Sequence, residues 1–171
     1  TGIDAETPER ILDHHQAAWT RHKCQRIASF AARYAAIIHE QLPACVVGAY
    51  ICPWTPHEFD GALTRIFAQD LALLSAHIDV FTPLIYAQKS GREPEWAQAY
   101  LEGATDFVSA ENRVQLILDV LDYPESLLAT AEASRPSWGV QLFGGAQVFA
   151  DADQAVHFRE AVARIREQAA L

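Results

Sequence analysis

Six side chains combine a reactive or binding group with a place where such groups work. Asp119 and Asp122 close the apolar run VQLILDVLD, which puts a carboxylate at the end of a strand, fit to act as acid, base or nucleophile. Tyr86 and Gln88 close the run IDVFTPLIYAQ, and Trp54 follows CVVGAYIC. An aromatic face stacks on the apolar face of a sugar ring, and a phenol or amide hydrogen-bonds its hydroxyls. Arg92, in the polar loop KSGRE, offers a forked guanidinium to an anionic group. Each has a plainer role beside the functional one. Asp122 stands two residues before Pro124 and suits the cap of the helix that starts there. The aromatics suit packing, and a loop arginine suits solvent. Asp119 is therefore the better candidate for a site acid.

Other chemistries find less support. His14, His15, His22 and Cys24 share one helical stretch, but His15 and His22 are two turns apart and HExxH is absent, so no metal or cofactor is expected. No serine sits in a GxSxG elbow. Asp70, next to Gln69, reads as a helix residue with a structural hydrogen bond, and Asp79 as the opening of a strand. A balance of 22 acidic against 13 basic side chains, net −9, repels phosphate backbones and disfavours nucleic acid. The three cysteines form neither an even disulfide framework nor a CxxC pair and suit buried thiols in a reducing compartment. No eighteen-residue apolar run and no signal-peptide layout occur, so a soluble, cytoplasmic protein with no membrane partner is expected.

The elements that must position these residues alternate. Thr7-Pro8 starts a helix that runs to about Leu42, with Ile27, Phe30, Tyr34 and Ile37 at helical spacing, a possible break near Trp19 to Lys23, and Pro43 as its stop. Cys45 to Cys52 reads as a strand buried on both faces. Thr55-Pro56-His57-Glu58 is a capping-box pattern, which predicts a helix from Pro56 to about Ala76 with Phe59, Leu63, Ile66, Leu71 and Leu74 inward. A second strand follows from Asp79 to Ala87, irregular at Pro83, then a loop at Lys89 to Glu93 and a helix over Pro94 to Leu101. Val114 to Leu121 is the third strand, with a short helix after it to about Ala133. Trp138 to Gly145 is the fourth, and Asp151 or Asp153 caps the last helix.

Strict alternation means an α/β fold of parallel strands joined by crossover helices. One domain is expected, a leading helical segment over 1–43 and four β/α units over 44–171. Two architectures meet that order, an open doubly wound sheet and part of a (β/α)8 barrel. No strand is followed by a GxGxxG phosphate loop, which counts against the first, and aromatic or polar strand ends suit the second. Four units make half a barrel, which needs roughly 250 residues.

The order of motifs resembles the second half of a glycoside hydrolase-like (β/α)8-barrel family of bacteria. Its residues here are Pro53-Trp54, Gln69-Asp70, Asp79 through Tyr86 and the later Trp96, with TGID and WTRHKCQRI resembling the lead-in helix. VQLILD and GVQLFGG resemble its last two strands. Leu84 and Ala87 depart from the family's Met and His. The resemblance implies the C-terminal half of a TIM barrel, a carbohydrate ligand, and hydrolysis by two carboxylates, about 5 to 5.5 Å apart for retention or about 6.5 to 9.5 Å for inversion. It also implies an N-terminal half outside this sequence. The half present is then expected to be inactive alone and to pair with that half or a second copy of itself. The alternative is a non-catalytic carbohydrate-binding or assembly module, or a self-associating α/β domain.

Overall fold

In the computed structural model, which describes residues 7–169, the chain is mixed α/β with a parallel sheet and is 54% helical. It divides into two units. One holds the described residues up to Val47 together with Trp54–Ile78, and the other Gly48–Pro53 with the residues from Asp79 onward. Among the described residues no helix is long and apolar enough to cross a membrane.

The first unit is helical. Helix α1 (Pro8–His14) starts as expected, with the Thr7 hydroxyl accepting the Arg10 N–H and proline in the first turn. The long helix does not continue unbroken. His15 leaves helical geometry (φ −131°, ψ 16°), and α2 (Gln16–Gln41) follows, so the break lies at His15 and not near Trp19 to Lys23. The helix expected over Pro56 to Ala76 is absent. Glu58 does accept the Thr55 N–H at 2.6 Å, half of a capping box, but Phe59, Asp60 and Gly61 then take left-handed backbone, and so does Ala68. An α-helix cannot pass through such residues. Two one-turn helices remain, α3 (Ala62–Arg65) and α4 (Leu71–Leu74). Leu63, Leu71 and Leu74 are buried, whereas Phe59 and Ile66 are exposed. Asp70 is not inside a helix: its carboxylate caps α4 through the N–H groups of Ala72 and Leu73. The Lys23 ammonium donates to Arg65 O at the C-terminus of α3, where a cation suits the helix dipole. Cys24 is a buried free thiol, but Cys45 is exposed and Cys52 half-buried.

The second unit carries the sheet. Its strands are β1 (Gly48–Ile51), β2 (Val80–Ile85), β3 (Arg113–Val114), β4 (Leu116–Asp119) and β5 (Val140–Phe143). All pair in parallel in the order β1-β2-β4-β5, with β3 also on β2. β3 and β4 are the expected third strand, interrupted at Gln115. The register on β2 is the same before and after the gap, Val80 with Arg113 and Leu84 with Ile117, so no residue is inserted and Pro83 makes no bulge. By that register Gln115 lies opposite Thr82, next to Pro83, which has no N–H to donate to a ladder. The Leu116 N–H donates to the Ser137 hydroxyl. Helices α5 (Trp96–Gly103), α6 (Glu125–Glu132), α7 (Ala146–Ala150) and α8 (Ala152–Ala169) complete the unit. Asp151 supplies the last cap, through the N–H groups of Asp153 and Gln154.

Paired residues of a parallel ladder point to the same side, so the sheet has two distinct faces. Ile51, Phe81, Ile85, Leu116 and Leu118 share one and are fully buried, as are Leu101, Leu127 and Ile165 of the helices. Each such side chain contributes about 1.5–3 kcal/mol. This is the core. The opposite face carries the buried Val80 and Ile117, Leu84 and Arg113, and towards the strand tips the polar and aromatic Tyr50, Thr82, Gln115, Asp119, Gln141 and Phe143.

Candidate functional site

On that second face, at the C-terminal tips of the strands, four side chains meet. Asp119 ends β4 and Phe143, its register partner, ends β5. Tyr86 lies one residue past β2, and Lys89 sits in the one-turn 3-10 helix Gln88–Ser90 that follows. The Tyr86 and Phe143 ring centroids are 5.6 Å apart. The Lys89 ammonium lies 5.2 Å from the first and 5.5 Å from the second, and 2.5 Å from Asp119 Oδ2. Asp119 Oδ1 accepts the Leu121 N–H, which starts the turn beyond β4. The Asp119 side chain is only 3% exposed and that of Lys89 49%, so the lysine is the solvent-facing member of the pair and the carboxylate the buried one.

Opposing effects act on the Asp119 carboxyl. Burial raises it, but the Lys89 hydrogen bond, the Leu121 N–H and the Lys89 charge together hold it below the ordinary aspartate value. It is an anion. Burial and then the Asp119 charge push the Tyr86 phenol up, with a smaller push from Tyr50, against the opposing pull of Lys89. Tyr86 is thus a neutral hydroxyl.

Next to this cluster the Tyr50 hydroxyl donates to Gln141 Oε1 at 2.8 Å, and Gln141 Nε2 donates to Gln115 Oε1 at 3.0 Å. The chain of hydroxyl and amides runs from the first strand of the sheet to the last. Strands lie about 4.8 Å apart, so β1 and β5 are about 14 Å apart along a flat sheet. Side chains that stand off the same face meet over that span because the sheet curves toward them.

Of the residues expected from sequence, Asp119 and Tyr86 come together here. Gln88 does not: its side chain is exposed, and its N–H is bound by Asp122 Oδ1 at 2.9 Å. Asp122 is not the cap of α6. It is buried, and its other oxygen accepts the Ala87 N–H at 2.8 Å, so both oxygens tie the β2 tip to the β4 tip. The cap position of α6 is Pro124, which makes no side-chain bond. Arg92 lies over the Trp96 ring at 4.3 Å. Trp54 belongs to the first unit, where it packs on Phe59 and Phe67 with centroids 4.6 and 5.4 Å away. Lys89, Phe143, Tyr50 and Gln141 were missed. A lysine in a polar loop reads as solvated, and the one available signal was its place three residues past the aromatic strand tip.

Neither of two other concavities holds these residues. A groove of about 520 Å³ in the first unit runs past Thr20, Arg21, Asp60 and Asp70, and a cavity of about 230 Å³ in the second is lined by Tyr123, Leu127, His157, Ala161 and Arg164. Among the described residues no group of three or more His, Cys, Asp or Glu is placed to hold a metal ion. Compared with models of protein families, with curated protein sequences and with solved structures, the chain matches none.

Proposed function

We propose that the parallel sheet is part of a (β/α)8-type barrel of the glycoside hydrolase-like kind, and that its strand tips bind a carbohydrate. The carrying observation is the cluster of Tyr86, Phe143, Lys89 and Asp119 at the C-terminal ends of parallel strands, where barrels place their sites. Two features of the sheet support the barrel. Its strands follow one another in chain order, unlike a doubly wound sheet, and it curves enough for Tyr50 to reach Gln141. The surface presented there is suited to sugars, with two aromatic rings, an ammonium, a phenol and two amides.

Binding is better supported than hydrolysis by these residues alone. Asp119 is ionised, which suits a base or nucleophile and not a proton donor. Asp122, the nearest acid along the chain, has both oxygens on backbone N–H groups. A proton donor for glycoside cleavage would therefore come from another half or another chain.

Isothermal titration of the intact protein with a panel of neutral and acidic oligosaccharides tests the reading. Tyr86→Ala and Phe143→Ala are each expected to weaken binding about two- to twelvefold, by losing an aromatic contact of about 0.5–1.5 kcal/mol. A folded protein that binds no member of the panel removes the proposal. If the intact protein turns over a glycan, Asp119→Asn is expected to lower kcat, and unchanged turnover rejects a catalytic Asp119.

A further inference from the structure

A lysine ammonium carries three N–H donors, and the Asp119 hydrogen bond engages one of them at 2.5 Å. Lys89 is the half-exposed member of the pair and Asp119 the buried one. Lys89 and Asp119 together carry no net charge. Arg113 starts β3, six residues before Asp119 and so about 20 Å away along the strand, with its guanidinium over Trp138. Arg92 is laid on Trp96. The nearby Tyr86, Tyr50, Gln141 and Gln115 are neutral donors and acceptors, and the chain as a whole carries −9.

An acidic sugar arriving at Lys89 meets an ammonium already neutralised by a carboxylate directly behind it. It gains little attraction and meets the repulsion of the acidic surface. A neutral sugar loses nothing by that pairing: its hydroxyl accepts from the ammonium while its apolar face lies on a ring. We infer that the site takes a neutral sugar and turns away uronic acids, with Lys89 as the ligand-contacting donor and Asp119 as the residue that positions and neutralises it. This rests on the carbohydrate reading above.

Titrating the intact protein at low salt with cellotetraose, mannotetraose and maltotetraose, and separately with tetragalacturonate, tests the inference. At least one neutral sugar is expected to bind about tenfold or more tighter than the uronate. Asp119→Asn keeps the shape of the side chain and frees the lysine charge, so the uronate should gain about tenfold relative to the neutral sugar. That change in ratio is one a merely structural aspartate would not produce. Lys89→Met should weaken the neutral sugar about tenfold, and Lys89→Arg should restore most of it. The inference is overturned if the wild type prefers the uronate with an affinity that falls as salt rises, or if a folded Asp119→Asn protein keeps the wild-type ratio. Should that variant not fold, the wild-type comparison and Lys89→Met decide. Binding of neither class removes the carbohydrate reading and the inference with it, whereas a preference for uronate removes the inference alone.

Discussion

Two buried aspartates three residues apart do different work, and their partners say which. Asp119 is paired with an ammonium, Asp122 with two backbone N–H groups. The Asp119 carboxyl is held below its ordinary value, so its contribution to stability is fully present above about pH 4, where the unfolded side chain is also ionised. It is lost as pH falls through the lower folded value, because protonation then breaks the Lys89 pair. Chemical denaturation from pH 6 down to pH 2.5 should therefore show a stability loss below about pH 4 that is smaller in Lys89→Gln; an equal loss in both would separate Lys89 from the titration. Asp122 answers to a different measurement. Asp122→Ala leaves two N–H groups at the β2 tip without their acceptor and is expected to cost about 1–3 kcal/mol for each that stays buried. Asp122→Asn keeps one acceptor oxygen and should cost less. If the two variants melt alike, the carboxylate is not what fastens the tips together.

At the scale of elements, what could be read from sequence was whatever local residues decide. The β-branched runs around Val80 and Leu116 gave strands because a stretch apolar on every residue has few other ways to be buried. Thr7-Pro8 and Asp151 gave helix starts because a cap acts within three residues. The Pro56 to Ala76 stretch carried the same kind of signal and failed, since the Glu58–Thr55 bond is satisfied in a turn as well as in a helix. The left-handed residues that follow include Phe59, a bulky type that does not announce such backbone, whereas Asp60-Gly61 is a turn dipeptide that does. The site was only half legible for a related reason: Asp119 and Tyr86 end strands, but Phe143 and Lys89 join them through strand register and a turn. Glycine positions offer a test of the turns. Gly91 has φ 64° with open space around a would-be Cβ, while Gly144 has φ 76° and its Cβ would lie 3.0 Å from Val120 Cγ1. Gly91→Ala is expected to cost about 1–2 kcal/mol from backbone alone. Gly144→Ala should cost more, because a contact with β-branched Val120 is added to the same backbone term. Equal urea midpoints for the two would show that Val120 yields freely.

At the scale of the whole molecule, both units present surface that a closed fold would cover. Among the described residues, β1 and β5 each have one strand neighbour, and their Tyr50 and Phe143 side chains are 59% and 54% exposed. In the other unit α2 exposes Ile27, Phe30, Tyr34 and Ile37, three and four residues apart and so on one face. Unpaired parallel edges and an uncovered apolar stripe both favour association. The barrel reading turns this into a definite expectation, that strands from a second copy or from a complementary half complete the sheet. Light scattering on the eluting protein should then give a mass above the 18.9 kDa of one chain. An integer multiple points to copies of itself. Two copies at −9 each repel, so self-association should strengthen as salt is raised, and a charge placed at the β5 edge by Val140→Lys should weaken it. A species of 18.9 kDa at all micromolar concentrations, unfolding in a single cooperative step, would falsify the half-barrel. A sheet whose edges stay open without association has found another way to protect them, and Tyr50 and Phe143 would then be surface residues rather than the lining of a barrel.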